Sequence, residues 1–210
     1  MARAFALLAA SMLALVGAAG AGGRSDEELR HGQVRQIRTL SLEFVGQFQN
    51  SPPGVTPPTH NHYGYLSYVS GLPAFSGSAQ NETTALFTFY ADAATPRVIA
   101  DGPLRVITRV GLLTIYRDAT PDGDFTKPES FRDGTPVLVA RFRQQVVSDT
   151  VTGSLTTFHQ NRIVSTRRFS ARRGYVELGQ AGATFRTFFS GHVTMPGPPS
   201  GVFGGYAVSE

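Results

Sequence analysis

Cysteine is absent from all 210 residues, which excludes disulfide cross-links, a thiol nucleophile, a thiolate-ligated metal and a lipid-modified cysteine. Lysine is nearly absent too, since of the 19 basic residues only Lys127 is lysine. Arginine keeps its charge at any working pH and offers planar, bidentate contacts to carboxylate or phosphate. Beside so much alanine and glycine, the same preference is also what a coding bias produces. The charge therefore bears on solubility before it bears on a ligand. After Leu40 no segment has the length and period of a crossover helix, which argues against an α/β layout. Gly-x-Ser-x-Gly, P-loop, dinucleotide and His-Glu-x-x-His signatures are all missing, so the enzyme classes with local motifs have no support.

The longest apolar run is at the N-terminus. Met1 to Arg3 give a short basic start, Ala4 to Val16 carry no charge, and Ala19-Gly20-Ala21 has the small residues that a signal peptidase requires. Residues 1–21 are expected to be a signal peptide, and the run is too short to anchor the chain as a spanning helix. Secretion or delivery to the periplasm follows, with no transmembrane anchor left after processing. Residues 22–39 form a polar lead-in, a short helix or a disordered stretch with Asp26, Glu27 and Glu28 near its start. Residues 40–210 are expected to form a single β domain, large enough to bury a core without disulfides.

From Leu40 the pattern alternates, with Leu42, Phe44 and Phe48 on one face and Glu43, Gln47 and Gln49 on the other, the period of a half-buried strand. Ser51 to Pro58 contains four prolines and reads as a loop. Strand-like runs then recur at 63–70, 85–91, 97–100, 104–109, 112–117, 137–147, 155–164, 167–169, 175–178, 185–193 and 202–208, separated by Gly, Pro and Asp turn signals. The region 118–136 is a long loop. This is the layout of an all-β protein. An antiparallel closed or nearly closed β-barrel is favoured over a β-sandwich, because closure removes the edges that long strands otherwise present. The layout resembles, in architecture alone, the lipocalin-like (calycin) and allene-oxide-cyclase-like barrels.

Four groups of residues can carry chemistry. His60 and His62 stand two apart, share a strand face and can meet one metal ion, with Glu82, His159 or His192 as a third ligand. The cupin-type glutamate that would follow them is replaced by Leu66 and Ser67. A pair of loop-edge histidines without metal is the preferred reading. Arg162, Arg167, Arg168, Arg172, Arg173 and Arg186, opposed by Glu177, suit an anionic surface. Nucleic acid is not expected as a partner, since it also asks for interleaved stacking aromatics. Asp118 to Asp124 is acidic, but its spacing does not match an EF-hand even though Glu129 is twelfth from Asp118. An ordinary Asp/Gly turn is the expectation there.

The fourth group is a barrel lumen assembled from Glu43, Tyr63, Tyr65, Arg141, Arg143 and His159. If the polar faces turn inward, these residues orient an anionic or carbonyl-bearing ligand. If they turn outward, they are surface residues over an apolar core. The sequence thus points to an exported barrel that binds a small, largely apolar ligand with an acidic or carbonyl end, and no cofactor or metal is called for. A cofactor-free cyclase or isomerase using the lumen is the alternative, and a secreted surface-interaction protein the second alternative. Whether the chain is an enzyme, and its oligomeric state, stay open at this level.

Overall fold

A computed structural model describes residues 34–172, 174–194 and 200–210. The expected signal peptide, most of the lead-in and Arg173 lie outside the described residues. Eight strands close into one antiparallel barrel: β2 (Ser41–Asn50), β3 (Thr59–Val69), β4 (Phe87–Asp101), β5 (Leu104–Arg117), β6 (Thr135–Asp149), β7 (Ser154–Thr166), β10 (Thr184–Thr194) and β11 (Ser200–Ser209). Each barrel strand pairs with the barrel strand before it in the chain. β11 closes the circle on β2, with Tyr206 opposite Glu43 and Phe203 opposite Gly46. The β-barrel expectation holds, and the sandwich does not.

The barrel strands are longer than the runs legible in the sequence. Residues 85–91 and 97–100 merge into β4 across a bulge between Ala94 and Arg97, and 104–109 and 112–117 merge into β5 through Gly111. Part of the lead-in is a strand rather than a helix or coil. β1 (Val34–Ile37) runs parallel to β9 (Gly174–Leu178), which in turn pairs with β8 (Phe169–Ala171). This three-stranded sheet plugs one end of the barrel: Phe169, Val176 and Leu178 join the same buried cluster as Leu40, Leu42 and Leu138. The Phe169 ring meets Phe87 edge-on at 5.6 Å.

The period of two puts Phe44, Phe89, Phe142, Phe185, Phe189 and Phe203 inside. Eight strands leave an interior just wide enough for side chains to fill. Rings this large need gaps in the facing wall, and inward glycines supply them. A Cβ on Gly201 would come within 2.6 Å of the Phe48 ring, and one on Gly205 within 2.6 Å of Phe189. Each fully enclosed phenylalanine contributes about 1.5–3 kcal/mol through the surface it removes from water. The rings of Phe44, Phe89, Phe189 and Phe203 pack against one another in the lumen, and the end away from the plug opens into a cavity. Among the described residues no helix is long and apolar enough to cross a membrane.

Candidate functional site

At the open end the lumen widens into a cavity of about 850 Å³, floored by Phe48, His62, Phe189 and Phe203 and rimmed by the β6–β7 turn at Asp149 to Gly153. Its walls are mostly apolar. That size and character suit a small organic molecule.

One polar cluster interrupts the apolar wall. His60 and His62 on β3 both face inward, because residues two apart on a strand share a face. Asn50 stands opposite His60 across the β2–β3 ladder. From β4 only Ala93 intervenes, opposite His60 on one side and Gly111 on the other, so a long side chain from β5 can pass over it. That side chain is Arg109. Its Nη2 donates to Asn50 Oδ1 at 3.0 Å, its Nη1 lies 3.2 Å from His60 Nε2, and its Nε donates to Thr95 Oγ1 at 3.4 Å.

The hydrogen bonds fix the tautomer of His60. Arginine can only donate, so His60 Nε2 accepts and His60 Nδ1 carries the proton, which it gives to Asn50 Oδ1. The two Nε2 atoms of His60 and His62 approach to 2.5 Å, leaving His62 Nε2 as the donor of that pair. Both imidazoles are held neutral. Burial pushes the His60 and His62 pKa values well below the ordinary histidine value, and Arg109 and the neighbouring histidines add to it. Deeper in the lumen His159 is pulled down to about 3 by burial and then by Arg109. It takes a 2.9 Å hydrogen bond from Gln144 Nε2.

Arg109 is 7% exposed, and burial lowers its pKa to about 10, so it remains a cation at neutral pH. Among the described residues no carboxylate forms an ion pair with it. A buried charge is ordinarily paired. Here neutral acceptors hold a permanent cation in place beside an open apolar cavity. Two further polar atoms on this side of the lumen, Thr157 Oγ1 and Gln144 Oε1, are buried without a hydrogen-bond partner.

Of the six lumen residues expected from sequence, the structure brings one, His159, into the barrel. Glu43, Arg141 and Arg143 point outward and are exposed, because the apolar residues alternating with them (Leu42 and Phe44, Ala140 and Phe142) take the interior. Tyr63 and Tyr65 are buried, but on the outside of the wall. The β5–β6 loop folds back over them, placing Phe131 5.7 Å from the Tyr63 ring and Phe125 6.3 Å from Tyr65. His60 and His62, expected at a loop edge, lie inside β3. His159 stacks 6.0 Å from His62 by ring centroid, whereas Glu82 sits in a one-turn 3-10 helix at Glu82–Thr84 and His192 is exposed at the rim. The three buried histidines do not gather their ring nitrogens within 4.8 Å of one another. Arg162, Arg167, Arg168 and Arg172 are exposed, as is Arg186, which pairs with Glu210.

Arg109 was missed by sequence reading because β5 is apolar on both faces: Val110 and Leu112 are exposed, while Leu113 and Ile115 are buried. The available signal was phase, since Arg109 is in step with Gly111, Leu113 and Ile115. No protein-family model matches the chain, and comparison with curated proteins and with solved structures finds no match.

Proposed function

We propose that this is an exported barrel that binds a small, largely apolar molecule by its acidic or carbonyl end, with Arg109 as the anchor. The observation that carries the reading is a buried guanidinium with no carboxylate partner among the described residues, set in the wall of a mostly apolar cavity of about 850 Å³. An anionic head group completes the charge pairing that the protein leaves undone, and the aromatic floor receives the hydrocarbon. Asn50 and His60 hold the fork in place, so little side-chain freedom is lost on binding. The outer wall carries exposed Glu43, Arg141, Arg143 and Arg162, which suits water rather than lipid around the barrel. Export rests on the N-terminal pattern of residues 1–21.

A second reading is favoured by the histidine pair. Two neutral imidazoles beside a fixed cation are the parts of a proton-transfer site, in which one nitrogen takes a proton next to a carbonyl and Arg109 stabilises the resulting oxyanion. A cofactor-free isomerase or cyclase would use them so.

Binding is tested by titrating the mature protein with dodecanoate and with dodecanol, following heat release. Dodecanoate is expected to bind more tightly, and Arg109→Gln to weaken it by about 1.5–3 kcal/mol, the range for charged hydrogen bonds. Equal affinity of Arg109→Gln and wild type for dodecanoate overturns the assignment of Arg109. Mass spectrometry of carbonyl ligands recovered after incubation separates the readings: return unchanged favours the binder, and conversion the enzyme.

A further inference from the structure

The loop between β5 and β6 carries a feature that the lumen does not use. Asp118, at its start, is only 5% exposed, although the sequence around it is polar. Its Oδ1 accepts the backbone N–H of Thr120 at 2.9 Å. Its Oδ2 is closed off from solvent and has no hydrogen-bond partner. Two further carboxylates, Asp122 from the first half of the loop and Asp133 from its end, converge on Asp118. One oxygen from each of the three lies within 4.8 Å of the others. Arg117, which precedes Asp118, directs its Nη1 to the main-chain oxygens of Leu86 and Asp118 rather than to these carboxylates.

Three carboxylates at this spacing repel one another, and the orphaned Asp118 oxygen adds the cost of a buried, unsatisfied acceptor. A bound divalent cation removes both costs. Against three negative charges and the positive charge of Arg117, it brings the locality to neutrality. The ligands are all oxygen, which selects a hard cation. Calcium takes six to eight oxygens in a flexible geometry, which suits carboxylates gathered from one loop, whereas magnesium demands a near-ideal octahedron and keeps several waters.

We propose that Asp118, Asp122 and Asp133 form a calcium site that ties the start of the β5–β6 loop to its end. This is not an EF-hand: Glu129, twelfth from Asp118, is engaged by Arg132 instead. Between the ligands lie Phe125 and Phe131, whose rings are 4.9 Å apart and cover Tyr63 and Tyr90 on the outer wall. Clamping the loop ends holds that aromatic cover on the barrel. The site is on the outside of the wall and stands independently of any ligand in the lumen.

The test is calorimetric titration of chelator-treated mature protein with CaCl2 and, separately, MgCl2, together with thermal unfolding in each ion. One saturable calcium site per chain is expected, with calcium raising the melting temperature more than magnesium does. Asp122→Asn and Asp133→Asn should each weaken calcium at least tenfold. Both side chains are exposed, so the variants retain the fold, checked by their far-ultraviolet spectra. Absence of calcium binding to wild type at about 5 mM, beyond the range of weak extracellular sites, overturns the proposal. So does undiminished binding in both variants, which would put the ion elsewhere. Greater stability of Asp118→Asn than of calcium-saturated wild type also counts against it, since the orphan oxygen would then be strain alone.

Discussion

Arg109 Nη1 stands 3.2 Å from His60 Nε2, and that contact fixes which His60 nitrogen carries the proton. A guanidinium donating to an imidazole nitrogen blocks the proton that the nitrogen would otherwise take up. His62, whose Nε2 donates in the 2.5 Å contact with His60, is kept neutral by burial and then by the charges of its neighbours His159 and Arg109.

Acid sensitivity follows from these depressed pKa values. In the unfolded chain His60, His62 and His159 titrate near 6.5, whereas in the folded barrel they resist protonation to much lower pH, His159 to about 3. Below pH 6.5 the unfolded state therefore binds more protons, and stability falls with falling pH by roughly 1.4 kcal/mol per pH unit for each histidine. Above 6.5 their contribution is constant. Urea unfolding at a series of pH values should show a steep decline between pH 6.5 and 4, and His159→Gln should flatten it. A curve level through that interval contradicts the burial of three neutral imidazoles.

Most of the barrel was legible because alternation is a local property. Leu42, Phe44 and Phe48 are in phase in the sequence and inward in the structure, and most of 118–136 is a connection, as its turn residues require, with Thr135 and Pro136 already in β6. The candidate site was not legible, for two physical reasons. First, assigning a polar face to the lumen put Glu43, Arg141 and Arg143 inside, but apolar burial outweighs any tendency to gather charge, and the alternating phenylalanines claim the interior. Second, the site depends on who faces whom across β4. Nothing local in the sequence says that Ala93 leaves room for Arg109 to reach His60, 49 residues away. The pairing of β1 with β9 was hidden for the same reason, as a four-residue strand of mixed polarity has no period to read.

The fit between inward glycines and phenylalanines predicts a cost for Gly201→Ala. The new Cβ would meet the His192 carbonyl oxygen at 2.1 Å and the Phe48 ring at 2.6 Å. Overpacking of this kind typically costs about 1–3 kcal/mol. Adding Phe48→Leu removes the ring clash but leaves the main-chain one, so the double variant should recover only part of the loss. Thermal unfolding of the four proteins of the cycle measures it, and full recovery would show that the main chain moves freely there.

The aromatic cover over Tyr63 is predicted to matter for stability and not for the lumen. Phe131 is fully buried against Tyr63 and Phe125, and Phe131→Ala should destabilise the protein by about 3–5 kcal/mol. Because the ring lies outside the barrel wall, dodecanoate affinity at a temperature where the variant is folded should be unchanged. A parallel loss of affinity would mean that Tyr63 and Tyr65 contribute to binding after all.

Replacing Arg109 by lysine gives the sharpest test of why the anchor is an arginine. The buried guanidinium is lowered only to about 10 and stays charged through the physiological range, so wild-type affinity for dodecanoate should be level between pH 7 and 9. An ammonium in the same place starts from about 10.4 and responds more strongly to burial. The same desolvation, acting on a group without a planar fork to share among Asn50, His60 and Thr95, should carry its pKa toward neutrality. The lysine is then charged at pH 7 and increasingly neutral by pH 9. Arg109→Lys should accordingly bind the carboxylate more weakly than wild type at pH 7, and lose up to about tenfold more for each pH unit above its own pKa. Calorimetry at pH 7, 8 and 9 reads the slope directly. A level profile in the lysine variant would show that the head group meets its cation in water, at the rim, rather than in the buried cluster with His60.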